Sequence, residues 1–387
     1  MISDFCDNLT ESPIGIYVHV PFCAFRCAYC AFYKAVPSRA TIESYIKTLK
    51  VEWDLRYRGE SVGTIFWGGG TPSILSAKQL EDMRHIFPDE MPFLKEWTVE
   101  CSPLTITKDR LAAMRDIGVT RISIGVETFD EKLLKTLNRR QTLWQTLEAY
   151  ELARNFSFDV NLDLMFAVPG QRLRQWEMDL RQAVALRPEH LSTYCLTMEE
   201  ETAFAARHKD KIPPAERGWE RFHGLAGETL TKAGYQHYEV SNFAQPGKQC
   251  LHNVRIWQMN DWLGIGPAAA SQYNGRRFKN ISDLNRWMCG ILAGAACEED
   301  ICAVDANLLV QDAIIFGLRT RTGIHLPESM NNRNMDACLR LFKFWCEQGL
   351  MECKKSVYYP TERGLLLADA LAVEILGTFD NPVRPKV

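Results

Sequence analysis

The run Ile14-Gly-Ile-Tyr-Val-His-Val20 is largely apolar and rich in β-branched residues, and runs of the same kind return at intervals. GTIFW occupies 63–67, EWTVE 96–100, RISIGVE 121–127, FDVNLDLM 158–165 and HLSTYCL 190–196. Between them lie segments of helical period. The first carries Ile42, Tyr45, Ile46, Leu49 and Trp53, spaced to share one helix face. Helix starts are marked as well: Ser76 and Gln79 make a capping box after GGGTP, and Thr107 to Gly118 reads as a capped helix ended by glycine. Strands alternating with helices imply a parallel sheet, because parallel neighbours need a crossover. Six such β/α units fit either a doubly wound sheet or an incomplete barrel, and periodicity alone does not choose. Both folds put their sites at the C-terminal ends of strands.

Outward from these units, residues 212–250 continue with a helix, a short strand YEVSNF (238–243) and a Pro246-Gly247 turn, after which order becomes less regular. From about Asn307 a new pattern begins: helices through LLVQDAIIFGLR and ACLRLFKFWCEQG, a strand pair around MECKKSVYY and a closing helix from Thr361. That reads as a small α+β domain of winged-helix type, and divides the chain into 1–245, a connecting region 246–300, and 301–387. Winged helices usually bind DNA, but Arg340, Lys343, Lys354 and Lys355 are interleaved with Phe342, Phe344 and Trp345 at core-like spacing. The 387 residues hold 45 Lys and Arg against 48 Asp and Glu, a net charge of −3, so no global basic field exists to hold nucleic acid. No apolar run is long enough to span a bilayer, and the opening MISDFCDNLTESP lacks the basic-then-apolar order of a signal peptide. The expectation is a cytoplasmic protein.

Thirteen cysteines are many for such a chain, and an odd number excludes complete pairing into disulfides. Ten are scattered from Cys6 to Cys353, mostly in apolar stretches that suit buried thiols. The other three form Cys23-Ala-Phe-Arg-Cys27-Ala-Tyr-Cys30, directly after the first strand. A structural zinc takes four protein ligands and no fourth Cys or His lies nearby, whereas an iron–sulfur cluster held by three cysteines leaves one iron open. Gly68-Gly-Gly-Thr71-Pro72 follows the second strand, and its missing side chains let backbone groups approach a ligand closely. Glu100, Glu127 and Asp163 stand at or near the ends of strands three to five, which puts acidic groups suited to amine and ribose hydroxyls on the same rim.

The C-x3-C-x2-C motif, with an aromatic before its last Cys and on the loop after the first β/α unit, resembles the radical S-adenosylmethionine (SAM) superfamily. The resemblance implies an incomplete (β/α)6 barrel of TIM type. It also implies a 4Fe-4S cluster on Cys23, Cys27 and Cys30 whose open iron is chelated by SAM, the sulfonium being cleaved to a 5′-deoxyadenosyl radical with an electron from a reductant. A narrower resemblance runs along nearly the whole chain. YVHVPFCxxxCxYCxF, FWGGGTPS, SIGVETF, LNRRQ, NLDLMFAVPGQ, YEVSNFAQPGKQCLHN and LGIGPAAAS, in this order, are similar to the HemN/HemW group. That group contains an oxygen-independent coproporphyrinogen III dehydrogenase and a heme chaperone.

Within the group, Tyr17, Gly69, Gly70, Thr71, Glu100, Glu127, Arg139 and Asp163 fall on positions that contact SAM, Glu127 exchanging the usual Gln amide for a charge. The dehydrogenase carries a further cysteine two residues after its third and a longer N-terminal arm; here Phe32, a further cofactor-binding candidate, takes the place of that cysteine, and 22 residues precede Cys23. The segment Cys250-Leu-His252-Asn-Val-Arg-Ile-Trp257 resembles the chaperone's heme-associated HNxxYW motif, with Ile256 for its Tyr. His252 is a candidate axial ligand of heme and Cys250 a second, with Trp257, Trp262 and Tyr273 as flat apolar surface; the alternative is a histidine bonded within a turn. The resemblance therefore implies a chaperone that passes heme to acceptor proteins and leaves room for a peripheral membrane contact. The alternative is oxidative decarboxylation of coproporphyrinogen III, with Arg26, Arg139 and Arg140 holding carboxylates.

Overall fold

The computed structural model describes residues 12–25, 27–197, 202–208, 218–326, 330 and 332–379, so that Cys6 and Arg26 lie outside it. Strands β1 (Ile14–Val20), β2 (Val62–Gly69), β3 (Glu96–Cys101), β4 (Arg121–Glu127), β5 (Asp159–Phe166) and β6 (His190–Cys195) run parallel and side by side in chain order. A doubly wound sheet reverses its order at a switch point; this one does not, so its crossovers share one face and the sheet is an incomplete barrel of TIM type. The crossovers carry α1 (Arg39–Arg56), α2 (Ala77–Arg84), α3 (Lys108–Asp116), α4 (Glu131–Thr136), α5 (Leu143–Asn155) and α6 (Leu173–Leu186). Ser76 and Gln79 form their capping box, Thr107 caps α3, and Gly118 follows it at φ +100°.

Alternation along each strand sorts two populations. Val99, Ile122, Ile124, Val160, Leu162 and Leu191 face the helices and are fully buried with Trp53, Trp97 and Trp176. The alternate positions are polar and line the barrel interior: Thr98 and Glu100, Arg121 and Ser123, Asn161 and Asp163, His190 and Ser192.

After β6 come α7 (Ala203–His208) and α8 (Trp219–Lys232), and then the expected single strand at YEVSNF is a hairpin. β7 (Gln236–Glu239) and β8 (Asn242–Ala244) pair antiparallel, because Glu239 accepts from Ser241 N at 3.1 Å and reverses the chain there. Residues 246–300, read from sequence as a less regular connection, extend the same sheet. They hold α9 (Leu251–Trp257), β9 (Trp262–Ile265), β10 (Ala270–Tyr273), β11 (Arg276–Asn280), α10 (Leu284–Leu292) and the start of β12 (Glu298–Ala303). β9 adds to β1 in parallel, and β10 to β12 continue antiparallel. Gly264 sits in β9 because a Cβ there would lie 2.3 Å from the Ala270 carbonyl oxygen.

The last unit has α11 (Ala306–Arg319), α12 (Asn332–Glu347), the wing β13 (Met351–Lys354) and β14 (Val357–Pro360), then α13 (Glu362–Leu366) and α14 (Ala368–Leu376). Its core contains Leu318, Phe342, Trp345, Leu371 and Ile375; Phe344, read as core, is half exposed because it falls on the outer face of α12. Val240 N bonds Arg319 O at 3.0 Å and Arg321 N bonds Tyr238 O at 3.1 Å, which ties this unit to the hairpin. Among the described residues no helix is long and apolar enough to cross a membrane.

The lower mouth of the barrel is closed by the start of α9. The Glu96 carboxylate, 4 % exposed, accepts from Arg121 Nε and from the backbone N–H groups of Leu251 and His252, each at 3.1 Å, and from Cys250 Sγ at 3.4 Å. Arg121 also donates to the carbonyls of Lys248 and Gln249. Removing one member of a buried pair leaves the other uncompensated, so Glu96→Ala should lower the free energy of unfolding by about 3–5 kcal/mol in urea titration. Asp82→Ala, at an exposed pair with Lys78, should leave the urea midpoint in place.

Candidate functional site

The cysteine loop leaves β1 at Pro21 and is closed at its base by Cys23 N to Ala35 O (3.2 Å) and Ala35 N to Pro21 O (2.7 Å). The GGGTP segment runs directly beneath it. Gly70 N bonds Val20 O at 2.8 Å, Thr71 N bonds Phe22 O at 2.7 Å, and Gly69 N bonds Glu100 Oε2 at 3.0 Å. A Cβ on Gly70 would stand 2.7 Å from both carbonyl oxygens, and one on Gly69, whose φ is +100°, would stand 2.4 Å from the His19 ring. The glycines thus serve close packing under the loop. Their N–H groups, expected to meet a ligand, are engaged inside the protein.

Cys23, Cys27 and Cys30 line one end of a cavity of about 590 Å³, together with Phe32, Gly69, Gly70, Thr71, Glu100, Glu127, Arg139 and Asp163. Among the described residues no three His, Cys, Asp or Glu side chains surround one point as ligands of a single ion would. A cluster gives each thiolate its own iron and spreads them further apart. Burial raises the Cys23 thiol against the Thr71 hydroxyl 3.5 Å from its Sγ, and Arg139 Nη1 donates to Cys27 Sγ at 3.4 Å. Ala28 and Tyr29 hold the loop down against Leu133, Leu137, Met165, Val168, Leu196 and Phe204.

Glu127 ends β4 at a register shift with φ +65°, a conformation few residues other than glycine adopt, and its carboxylate meets Arg139 Nη2 at 3.2 Å. The acid in place of the group's usual amide is thus balanced inside the protein. Arg139 also donates to Gly125 O, while its buried Nε has no partner. Arg140 lies over the Phe25 ring at 3.8 Å. Arg139 is thus engaged by Glu127, Gly125 and Cys27.

Glu100 and Asp163 are enclosed by the barrel and touch the cavity. Burial, reinforced by the neighbouring Asp163, pushes Glu100 up to about 8; burial pushes Asp163 up to about 6, against hydrogen bonds from Ser123 (2.8 Å) and Asn161 (2.8 Å). Beneath them Asn161 and Ser192 connect to His190, which bonds the Tyr238 hydroxyl at 2.8 Å. Sequence reasoning did not name Thr98, Ser123, Asn161, His190, Ser192 or Tyr194. The signal was present as polar residues at every second position of apolar strands.

Tyr17 and His252 belong to a second cavity, of about 740 Å³, whose walls include Phe32, Tyr33, Phe66, Trp262 and Lys279. Phe32, Phe66, Ala31 and Asn253 line both spaces. His252 is 2 % exposed, its Nδ1 is 2.9 Å from Thr64 Oγ1, and its Nε2 has no partner. Burial, with Arg255 nearby, lowers this imidazole to about 3, so it is neutral. Cys250 lies instead on the first cavity, and burial beside Glu96 raises its thiol. Of the three aromatics expected around His252 only Trp262 is there: Trp257 packs on Phe316, and the Tyr273 hydroxyl bonds Glu60.

The radical SAM superfamily model matches residues 17–183. Proteins named heme chaperone HemW are 31 % identical in Lactococcus lactis, over 84 % of this chain and 86 % of that one, and 30 % in Bacillus subtilis, over 94 % and 98 %. The HemW of Escherichia coli is 39 % identical over 66 % and 69 %. The chain belongs to the HemN/HemW group of the radical SAM superfamily. In fold, this HemN/HemW chain matches coproporphyrinogen III oxidase (HemN) of Escherichia coli with a TM-score of 0.81, over 96 % and 93 % of the two chains at 23 % identity. Membership of the superfamily implies a 4Fe-4S cluster and SAM.

A ligand bearing an amine or a sulfonium is held by ionised carboxylates, and Glu100 and Asp163 reach that form only as pH rises through about 6 to 8. Calorimetric affinity for SAM should therefore increase across that interval, and Glu100→Gln should flatten the increase.

Proposed function

We propose that this protein is a heme chaperone: it binds heme in the second cavity and passes it to acceptor proteins, while cluster and SAM occupy the first. The observation that carries this reading is the neutral, buried His252 on the lining of an aromatic cavity, whose Nε2, itself closed to solvent, has no hydrogen-bond partner. Nδ1, engaged with Thr64, fixes the ring, which is the arrangement an axial imidazole needs. The HemW names of the relatives support it, as does Phe32 where a dehydrogenase would carry a fourth cysteine. Cys250 is the poorer ligand, its thiol donating to Glu96 away from that cavity.

Cys23, Cys27 and Cys30 would hold the cluster, which supplies one-electron reduction of the SAM sulfonium when a reductant is present. The chain itself shapes the space around that chemistry. Thr71 and Arg139 set donors on Cys23 and Cys27, Tyr29 packs the loop onto the barrel, and the acidic rim of Glu100 and Asp163 faces the ligand's cationic part.

Replacing the three cysteines together by Ala should remove iron and sulfide from anaerobically purified protein; a normal content would overturn the cluster assignment, and zinc in place of iron would point to a structural site. Hemin should give a saturable Soret shift at a single equivalent, altered in His252→Ala. Formation of protoporphyrinogen IX from coproporphyrinogen III, without specific hemin uptake, would replace this reading by that of the dehydrogenase.

A further inference from the structure

The two cavities share a wall but differ in charge. Glu100, Glu127 and Asp163 line the first together with Lys34, Arg121, Arg139 and Arg140, whereas no carboxylate lines the second among the described residues. Its only permanent cation there is Lys279 of β11. This side chain is 39 % exposed, so its ammonium sits at the rim, held only by Glu299 at 3.5 Å, which is itself 42 % exposed. It still reaches the interior electrostatically, since its charge adds to burial in lowering His19. The cavity thus has a buried imidazole without a partner on Nε2 in its lining, aromatic walls and an ammonium at the water boundary.

We propose that Lys279 anchors the ligand's carboxylates, so that the second cavity selects a flat apolar molecule carrying acid groups along one edge. This rests on the heme reading above and assigns the orientation: propionates toward β11, macrocycle against Phe66 and Trp262. A neutral porphyrin of the same shape would lose that anchor. The loosely held Glu299 pair is no obstacle, since an exposed ion pair at this separation contributes little and exchanges readily for another carboxylate.

The test compares hemin with its dimethyl ester on the full chain, in the wild type, Lys279→Ala and Lys279→Arg. Lys279→Ala should weaken hemin by on the order of five- to tenfold and leave the ester unchanged. Lys279→Arg should keep most of the wild-type preference, and all three proteins should show the same Soret maximum, because the iron ligand is untouched. Equal weakening of hemin and ester, no weakening of hemin, or a displaced Soret band in Lys279→Ala would each overturn the assignment while leaving heme binding standing. A wild type that binds neither ligand removes both readings together.

Discussion

A carboxylate with almost no access to water must be surrounded by donors, and Glu96 is such a group. Its oxygens draw in the Arg121 guanidinium and the first two N–H groups of α9, which otherwise lack partners at a helix start. Because α9 is docked at that end, His252 is set inside the barrel rather than on a surface turn, and its ring meets Thr64 and Phe66 of β2. The position of the imidazole is therefore a consequence of electrostatic satisfaction more than ten ångströms' worth of strand below the cysteine loop, at a strand rise of about 3.3 Å per residue.

The incomplete barrel also accounts for the polar groups that β3 to β6 turn toward its interior. In a closed barrel, stacked aliphatic layers fill the middle; here the alternate positions of β3 to β6 are Thr, Glu, Arg, Ser, Asn, Asp and His, and a cavity runs among them. Polar groups at such depth are tolerable only when joined, and the chain Ser123, Asp163, Asn161, Ser192, His190 and Tyr238 joins them. Phe66 stands between this cavity of mixed charge and the second, whose lining includes Lys279 and no carboxylate among the described residues.

Much of this was legible in the sequence, for reasons that can be named. The six strands were visible because their outward residues are strongly apolar, and the cysteine spacing, GGGTP and the strand-end acids were local in the chain. Where strands are short and contain glycine, as at Trp262–Ile265, pattern gives way to tertiary pairing and nothing in the local sequence announces β9. The choice between barrel and doubly wound sheet was closed to periodicity, because strand order is a property of neighbours. Tyr17 and His252 share a cavity although 235 positions separate them, which only the fold could reveal. The packing role of the glycines was not legible: Gly70 N–H bonds the Val20 carbonyl and Gly69 N–H the Glu100 carboxylate, while both residues line the cavity.

The pairing of β9 with β1 has a consequence for how the molecule is made. β1 leaves the ribosome well before the strand that covers its free edge, which follows 247 residues later, Trp262 pairing with Gly15. At usual rates of synthesis that is an interval on the order of ten to fifty seconds, during which an apolar edge with unpaired backbone groups stands open beside the three cysteines. The second cavity cannot exist before that edge is closed, whereas the cysteine loop rests on β2 and GGGTP, which emerge long before β9. Maturation is thus ordered by the chain itself, with the metal loop taking shape first and the aromatic pocket last.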